Sequence, residues 1–266
     1  MKRALLSMQG GRGRSPRGQM QHTPIHMLDD GCLMRILTFL SPLPDRFNAA
    51  RVCRRWQGLA LDRRMWLRVD FTRGLLPLHG VYPTLGDAII AARPGDTILI
   101  ASGGVHVASN IRVDKPLCLV GDGSSRDETV LLSPRCSDSA LEFSASARVA
   151  NLTIKAELGS CILHRKGCLT VESCALKCGE HPLDHLSFPI VSTADALPPH
   201  AHFGKSCVSV IETLIEGGAG AVRTSGSLVL QQVRVMYARA ALFFWFTVAQ
   251  QKKLNELEVP TVTIKA

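Results

Sequence analysis

Apolar positions divide this chain into two regimes. Leu33, Ile36, Leu37 and Leu40 fall at i, i+3, i+4 and i+7, one face of a helix entered past the acidic pair Asp29 and Asp30. Ser41-Pro42-Leu43-Pro44 breaks that helix. A second helix is expected after Asp45 as N-cap, with Ala49, Val52, Cys53 and Trp56 at the same spacing. A further helix is predicted over Tyr82–Ala92, apolar at Leu85, Ala88, Ile89 and Ala92. From Thr97-Ile98-Leu99-Ile100 onward helical periodicity gives way to short apolar runs separated by turns. About 40 residues of helix with unspent apolar positions make a poor domain alone. Such a unit requires a partner, either the downstream domain or another protein.

The first two helices carry a recognisable pattern. Leu28 opens it, Cys32-Leu33, Ile36-Leu37 and Phe39-Leu40 follow, then Val52-Cys53-Arg54-Arg55-Trp56, Leu59 and a closing Trp66. This resembles the F-box, the segment by which a substrate receptor docks on the Skp adaptor of a cullin–RING (SCF) ubiquitin ligase. The family usually opens with Leu-Pro, whereas Leu28 is followed here by Asp29. The resemblance implies that Leu28, Ile36, Leu37, Leu40, Val52, Cys53 and Trp56 bury against the adaptor.

The rest of the chain repeats. Ala147, Val149, Leu152 and Ile154 recur 22 residues later as Leu169, Val171, Cys174 and Leu176. The pattern returns as Val208, Val210, Thr213 and Ile215, and 20 residues further as Leu228, Leu230, Val233 and Val235. A fixed period near this length, with alternate residues turned inward, is the signature of stacked rungs. Extra residues over 177–204 read as a loop projecting from the stack. The capping helix followed by Pro94-Gly95-Asp96-Thr97-Ile98 resembles the entrance to the right-handed parallel β-helices of the pectin-lyase-like superfamily. The expected organisation is a basic, disordered tail over 1–24, an F-box over 25–70, a β-helix over 75–249 and a variable end over 250–266.

Composition refines this picture. The net charge of +9 suggests nucleic acid, but residues 1–24 hold five Lys/Arg and no acid, whereas residues 71–266 hold 18 against 17. A nucleic-acid domain concentrates charge on one folded surface, so nucleic acid is not an expected partner. The longest apolar stretch, Ala240–Val248, is too short to span a bilayer and reads as a buried strand. The tail lacks the apolar core of a secretory signal. Nine cysteines, an odd number, suit a reducing compartment, in keeping with the cytoplasm or nucleus where a Skp adaptor works.

Register also bears on chemistry. Cys174, Cys178, His181 and His185 have spacings that zinc accepts, but Cys174 shares the inward position of Leu152 and Val233, which marks it as a core thiol. Catalysis on the face of a β-helix needs carboxylates converging from adjacent rungs. Glu172 instead aligns with Ala150, Ile211 and Gln231, and Glu212 with Asn151, Ser173 and Gln232. Asp122, Asp127, Glu128 and Asp184 are scattered through loops, and His164, His185 and Asp184 form at most a base with its orienter. Gly103-Gly104 and Gly217-Gly218 read as turn glycines. No cofactor, metal or catalytic residue is expected. As a whole the chain resembles plant F-box proteins of the Skp-interacting-partner group. That implies a non-catalytic SCF subunit whose β-helix binds the target protein, the alternative being a carbohydrate-binding or carbohydrate-processing β-helix regulated by the F-box.

Overall fold

The computed structural model describes residues 25–70, 80–179, 187–193, 206–240, 242–244 and 262–265. The tail, His181, Asp184, His185, Trp245–Val248 and most of the C-terminal end lie outside the described residues. Within them, a small helical unit leads into a right-handed parallel β-helix.

The helical unit begins with a tight turn at Ile25–Met27 and helix α1, Asp30–Thr38. An irregular turn over Pro42–Arg46 precedes α2, Phe47–Ala50, and α3, Arg54–Ala60. The single second helix expected after Asp45 is therefore two. Val52 and Cys53 have low helix propensity, and Cys53 is fully extended, its sulfur accepting the Trp56 N–H at 3.5 Å as the cap of α3. Asp45 lies inside the preceding turn and caps nothing; α2 begins without a side-chain cap.

Strand β1, Leu67–Val69, leaves this unit and pairs in parallel with β2, Val81–Tyr82, and with β3, Thr97–Ile100. Val69 is buried in the solenoid core, so the helical unit runs directly into a strand of the β-helix. Helix α4 is shorter than predicted, Leu85–Ala91, because the Thr84 hydroxyl accepts the Asp87 N–H at 3.1 Å and Tyr82 belongs to β2. Its apolar face, Leu85, Ala88 and Ile89, joins the core.

Six rungs follow, each of three strands. The first is β3, β4 (Gly104–Val107) and β5 (Ile111–Val113). Then come β6 (Leu117–Gly121), β7 (Thr129–Ser133) and β8 (Ser139–Phe143). The next two are β9 (Ala147–Ala150), β10 (Thr153–Ala156), β11 (Ser160–His164), and β12 (Cys168–Glu172), β13 (Ala175–Cys178), β14 (Ile190–Ser192). The last two are β15 (Cys207–Ile211), β16 (Leu214–Glu216), β17 (Val222–Thr224), and β18 (Ser227–Gln231), β19 (Arg234–Met236), β20 (Leu242–Phe244). Together with β1, β2 and one later strand, they stack into one nine-stranded and two six-stranded parallel sheets. The predicted register holds residue for residue: Val149, Val171, Val210 and Leu230 are successive partners, as are Ile154, Leu176, Ile215 and Val235.

Two expectations change. The expected loop over 177–204 is not a single insertion: Ile190–Ser192 lies inside it yet forms the third wall, pairing with β11 and β17. The repeat legible in the sequence spans only the first two walls. A final strand β21, Val262–Lys265, pairs with β18, so the solenoid extends beyond 249 into the expected variable end.

The corner between the first two walls recurs at Asn151, Ser173, Glu212 and Gln232, all at φ near +50°. This left-handed conformation favours Asn among residues with side chains. One rung below, Gly121 packs so closely that a Cβ would lie 2.0 Å from the Asn151 carbonyl oxygen.

Candidate functional site

The helical unit has a core of only four buried residues: Leu33 and Leu37 from α1, Leu59 and Ala60 from α3. Leu28, Met34, Leu40, Ala49, Ala50, Trp56 and Met65 pack around it, partly covered. Leu37 is 2% exposed, so its side chain is already spent inside the unit. It packs there with Leu33, Leu59 and Ala60. Leu28, Leu40 and Trp56 are half-buried, while Cys53 is exposed and spends its sulfur on the α3 cap.

The outward apolar residues are a different set. Ile36 is 41% exposed, Phe47 57%, Val52 66%, Met27 69% and Phe39 76%. Ile25, Leu43 and Leu61 are also exposed. Eight of the thirteen exposed large apolar side chains among the described residues thus fall within 25–61. Phe39 stands in the family pattern, but periodicity passes over it because it lies off the i, i+3, i+4 stripe. Met27 and Phe47 sit in turns and at a helix start, where periodicity gives no signal.

Local polar contacts hold this surface in shape. Asp29, the departure from Leu-Pro, caps α1 by accepting the Cys32 N–H at 2.8 Å. That bond keeps its carboxyl below the usual range, and the same carboxylate, beside the Cys32 thiol, pushes that thiol up. Arg55 donates to Asp30 at 2.8 Å, to the His26 carbonyl at 2.9 Å and to the Leu28 carbonyl, tying α3 to the start of α1. Asp62 accepts from Arg64, which lowers its pKa to about 2.

The unit is clasped to the β-helix at two places. Arg63 and Arg68 each lie 2.8 Å from Asp122, in the turn after β6. Leu43 packs on Gly95, whose φ of +89° and lack of a Cβ leave room for it. Arg46 is buried beside this contact, burial lowering its pKa while nearby Asp96 opposes that shift. Arg93 reaches back to the Thr38 carbonyl at 3.5 Å.

The solenoid's candidate chemistry resolves into structure. Cys174 is buried and donates toward the Glu172 carbonyl at 3.1 Å, and burial raises its thiol to about 11. Cys178 is buried against Gly159. His164 points inward between the Ser192 hydroxyl and the Gly167 carbonyl, each 2.9 Å away, and desolvation lowers its pKa. Asp127 accepts from the Thr153 hydroxyl, Glu128 completes a capping box with Ser125, and Glu172 pairs with Arg148 at 2.6 Å. Glu212 accepts from the Ser173 hydroxyl at 3.2 Å. Among the described residues no group of three or more His, Cys, Asp or Glu is placed to hold a metal ion.

The F-box-like family model matches residues 30–72. F-box protein SKIP5 of Arabidopsis thaliana is 54% identical over 239 residues, covering 85% of this chain and 87% of the relative. Among solved structures, Escherichia coli YbhC aligns with a TM-score of 0.46 at 11% identity, over 64% of this chain and 55% of its own. A pectin methylesterase variant in complex with a hexasaccharide aligns with a TM-score of 0.42 at 15% identity, over 64% and 66%. With more than half of the aligned positions shared along most of both chains, the protein belongs to the SKIP5 family of F-box proteins.

Proposed function

We propose that this protein is a non-catalytic substrate-recognition subunit of a Skp–cullin–F-box ubiquitin ligase. The helical unit docks on the Skp adaptor and the β-helix holds the target protein. The observation that carries the reading is the concentration of exposed large apolar side chains on the F-box, eight of the thirteen among the described residues, against five on the described part of the solenoid. Interfaces of this kind draw most of their energy from a few apolar and aromatic anchors. Ile36, Phe39, Phe47 and Val52 present such anchors, with Leu28, Leu40, Cys53 and Trp56 at their margins and Leu37 supporting them from within. Family membership supports the same assignment. The use of loop acids as caps and ion-pair partners supports a binding wall rather than a catalytic cleft. Cytoplasm or nucleus follows from the adaptor; no helix of the described residues is long and apolar enough to cross a membrane.

The test is co-purification of the full chain with a Skp adaptor, comparing wild type with Phe39→Ala/Val52→Asp. Both residues face solvent, so the variant keeps its circular dichroism spectrum and melting temperature. Capture of the adaptor is expected to vanish. Undiminished capture by the folded variant would overturn the assignment.

A further inference from the structure

Cys168 opens β12 and Cys207 opens β15, the adjacent strand of the nine-stranded sheet, and the two residues are direct register partners. They are 39 residues apart in sequence. Neighbouring strands run about 4.8 Å apart, within the Cα separation of roughly 4.4–6.8 Å that a disulfide spans. The next residues, Leu169 and Val208, are buried in the core, so the two cysteines face outward from the wall. Their sulfurs lie 2.9 Å apart. Cys168 is exposed and Cys207 half-buried. This distinguishes the pair from Cys161, Cys174 and Cys178, which are enclosed in the core. The flanking positions in the same column are small and polar: Ser146, whose hydroxyl accepts the Cys168 N–H at 3.0 Å, and Ser227, the register partner of Cys207. Among the described residues, the column places only these serines directly above and below the two cysteines.

We propose that Cys168 and Cys207 form an inter-rung dithiol site that low-molecular-weight disulfides convert to an intramolecular disulfide. The Cys168 thiol, the more accessible, loses its proton to solvent and attacks one sulfur of oxidised glutathione. A protein–glutathione disulfide forms as the glutathione S–S bond breaks, releasing one glutathione thiolate. The Cys207 thiolate then attacks the Cys168 sulfur, releasing the second. Two protein thiols are oxidised, one glutathione disulfide is reduced to two thiols, and the two protons end on those products. The bond closes the excursion of chain between the two strands and stitches adjacent rungs together, which lowers the entropy of the unfolded chain.

The experiment equilibrates the full-length protein with excess oxidised glutathione, alkylates the remaining thiols and maps peptides by mass spectrometry without reduction. The expected product is a linked pair of peptides carrying Cys168 and Cys207, lost on treatment with dithiothreitol, with a melting temperature several degrees above that of the reduced protein. Phenylarsine oxide, which bridges closely spaced thiols, is expected to protect both cysteines from alkylation in the reduced protein. Cys207→Ser leaves an outward serine like its neighbours. It is expected to retain the fold, to stop at the glutathione adduct on Cys168, and to lose arsenical protection. Persistent alkylation of both cysteines in the folded wild type, a glutathione adduct that never resolves, or linkage of either cysteine to a different partner would each overturn the proposal.

Discussion

The helical unit and the solenoid dispose of their apolar residues in opposite ways. In the solenoid, aliphatics stand in columns: Leu119, Val149, Val171 and Val210 are all fully buried because each rung covers the one before it. The helical unit has no such neighbour to stack on. Three short helices bury four residues and leave Met27, Phe39, Phe47 and Val52 in water. A repeat satisfies its hydrophobic surface within the chain, whereas a small helical unit satisfies it by association. Exposed apolar groups therefore mean different things in the two regions.

The contrast breaks most visibly at the F-box surface. Phe39→Ala/Val52→Asp is expected to reduce adaptor affinity by at least about two orders of magnitude, as loss of central anchors does. Chemical denaturation of the same variant should show little change. Next in size is the solenoid core. Phe143→Ala removes the largest fully buried side chain among the described residues and should cost about 3–5 kcal/mol, read as a shifted denaturation midpoint, with adaptor capture by the folded fraction unchanged. If either substitution moved both readouts equally, the two regions would be one energetic unit.

A smaller effect comes from His164. Burial holds its folded pKa below the ordinary 6.5, so the unfolded chain binds the proton first as pH falls. The stability that the neutral ring supports is complete above about 6.5 and declines as pH falls from there toward the folded pKa. Denaturant titrations at stepped pH should show this slope, and His164→Gln should flatten it. The smallest effect sharpens the picture of the corners. Gln232 is exposed at a φ of +53°, and Gln232→Asn should raise stability by a few tenths of a kcal/mol, measured by the same titration.

Much of this architecture is legible in the residues. The 22-residue step places Cys174 in the core and sets Glu172 beside Ala150 and Ile211, because strand alternation fixes inward and outward positions once register is known. The third wall is hidden from such a reading. Beside the apolar column Leu141, Ile162, Ile190 and Val222 it turns a second column inward, Phe143, His164, Ser192 and Thr224, whose polarity masks the alternation. The split between α2 and α3 is also invisible to spacing, since Val52 and Cys53 match the helical stripe while Cys53 caps the next helix. The family pattern read from Leu28 to Trp66 falls on the segment that the F-box-like family model matches, 30–72. Amphipathic spacing, however, selects what the unit buries for itself. Leu37 fits the stripe and is internal, whereas Phe39 lies off it and is the most exposed apolar residue of the unit.

Strand β1 has a further consequence. Leu67–Val69 is hydrogen-bonded into the first sheet immediately after the last turn of the helical unit, and Asp122 and Gly95 hold that unit from two sides. The connection therefore works as a splint rather than a tether. If the β-helix holds cargo as proposed, that cargo sits at a fixed bearing from the adaptor's socket. On the proposed reading, which lysines of that cargo come within reach of ubiquitin transfer becomes a question of angle and distance, set when three residues join a sheet.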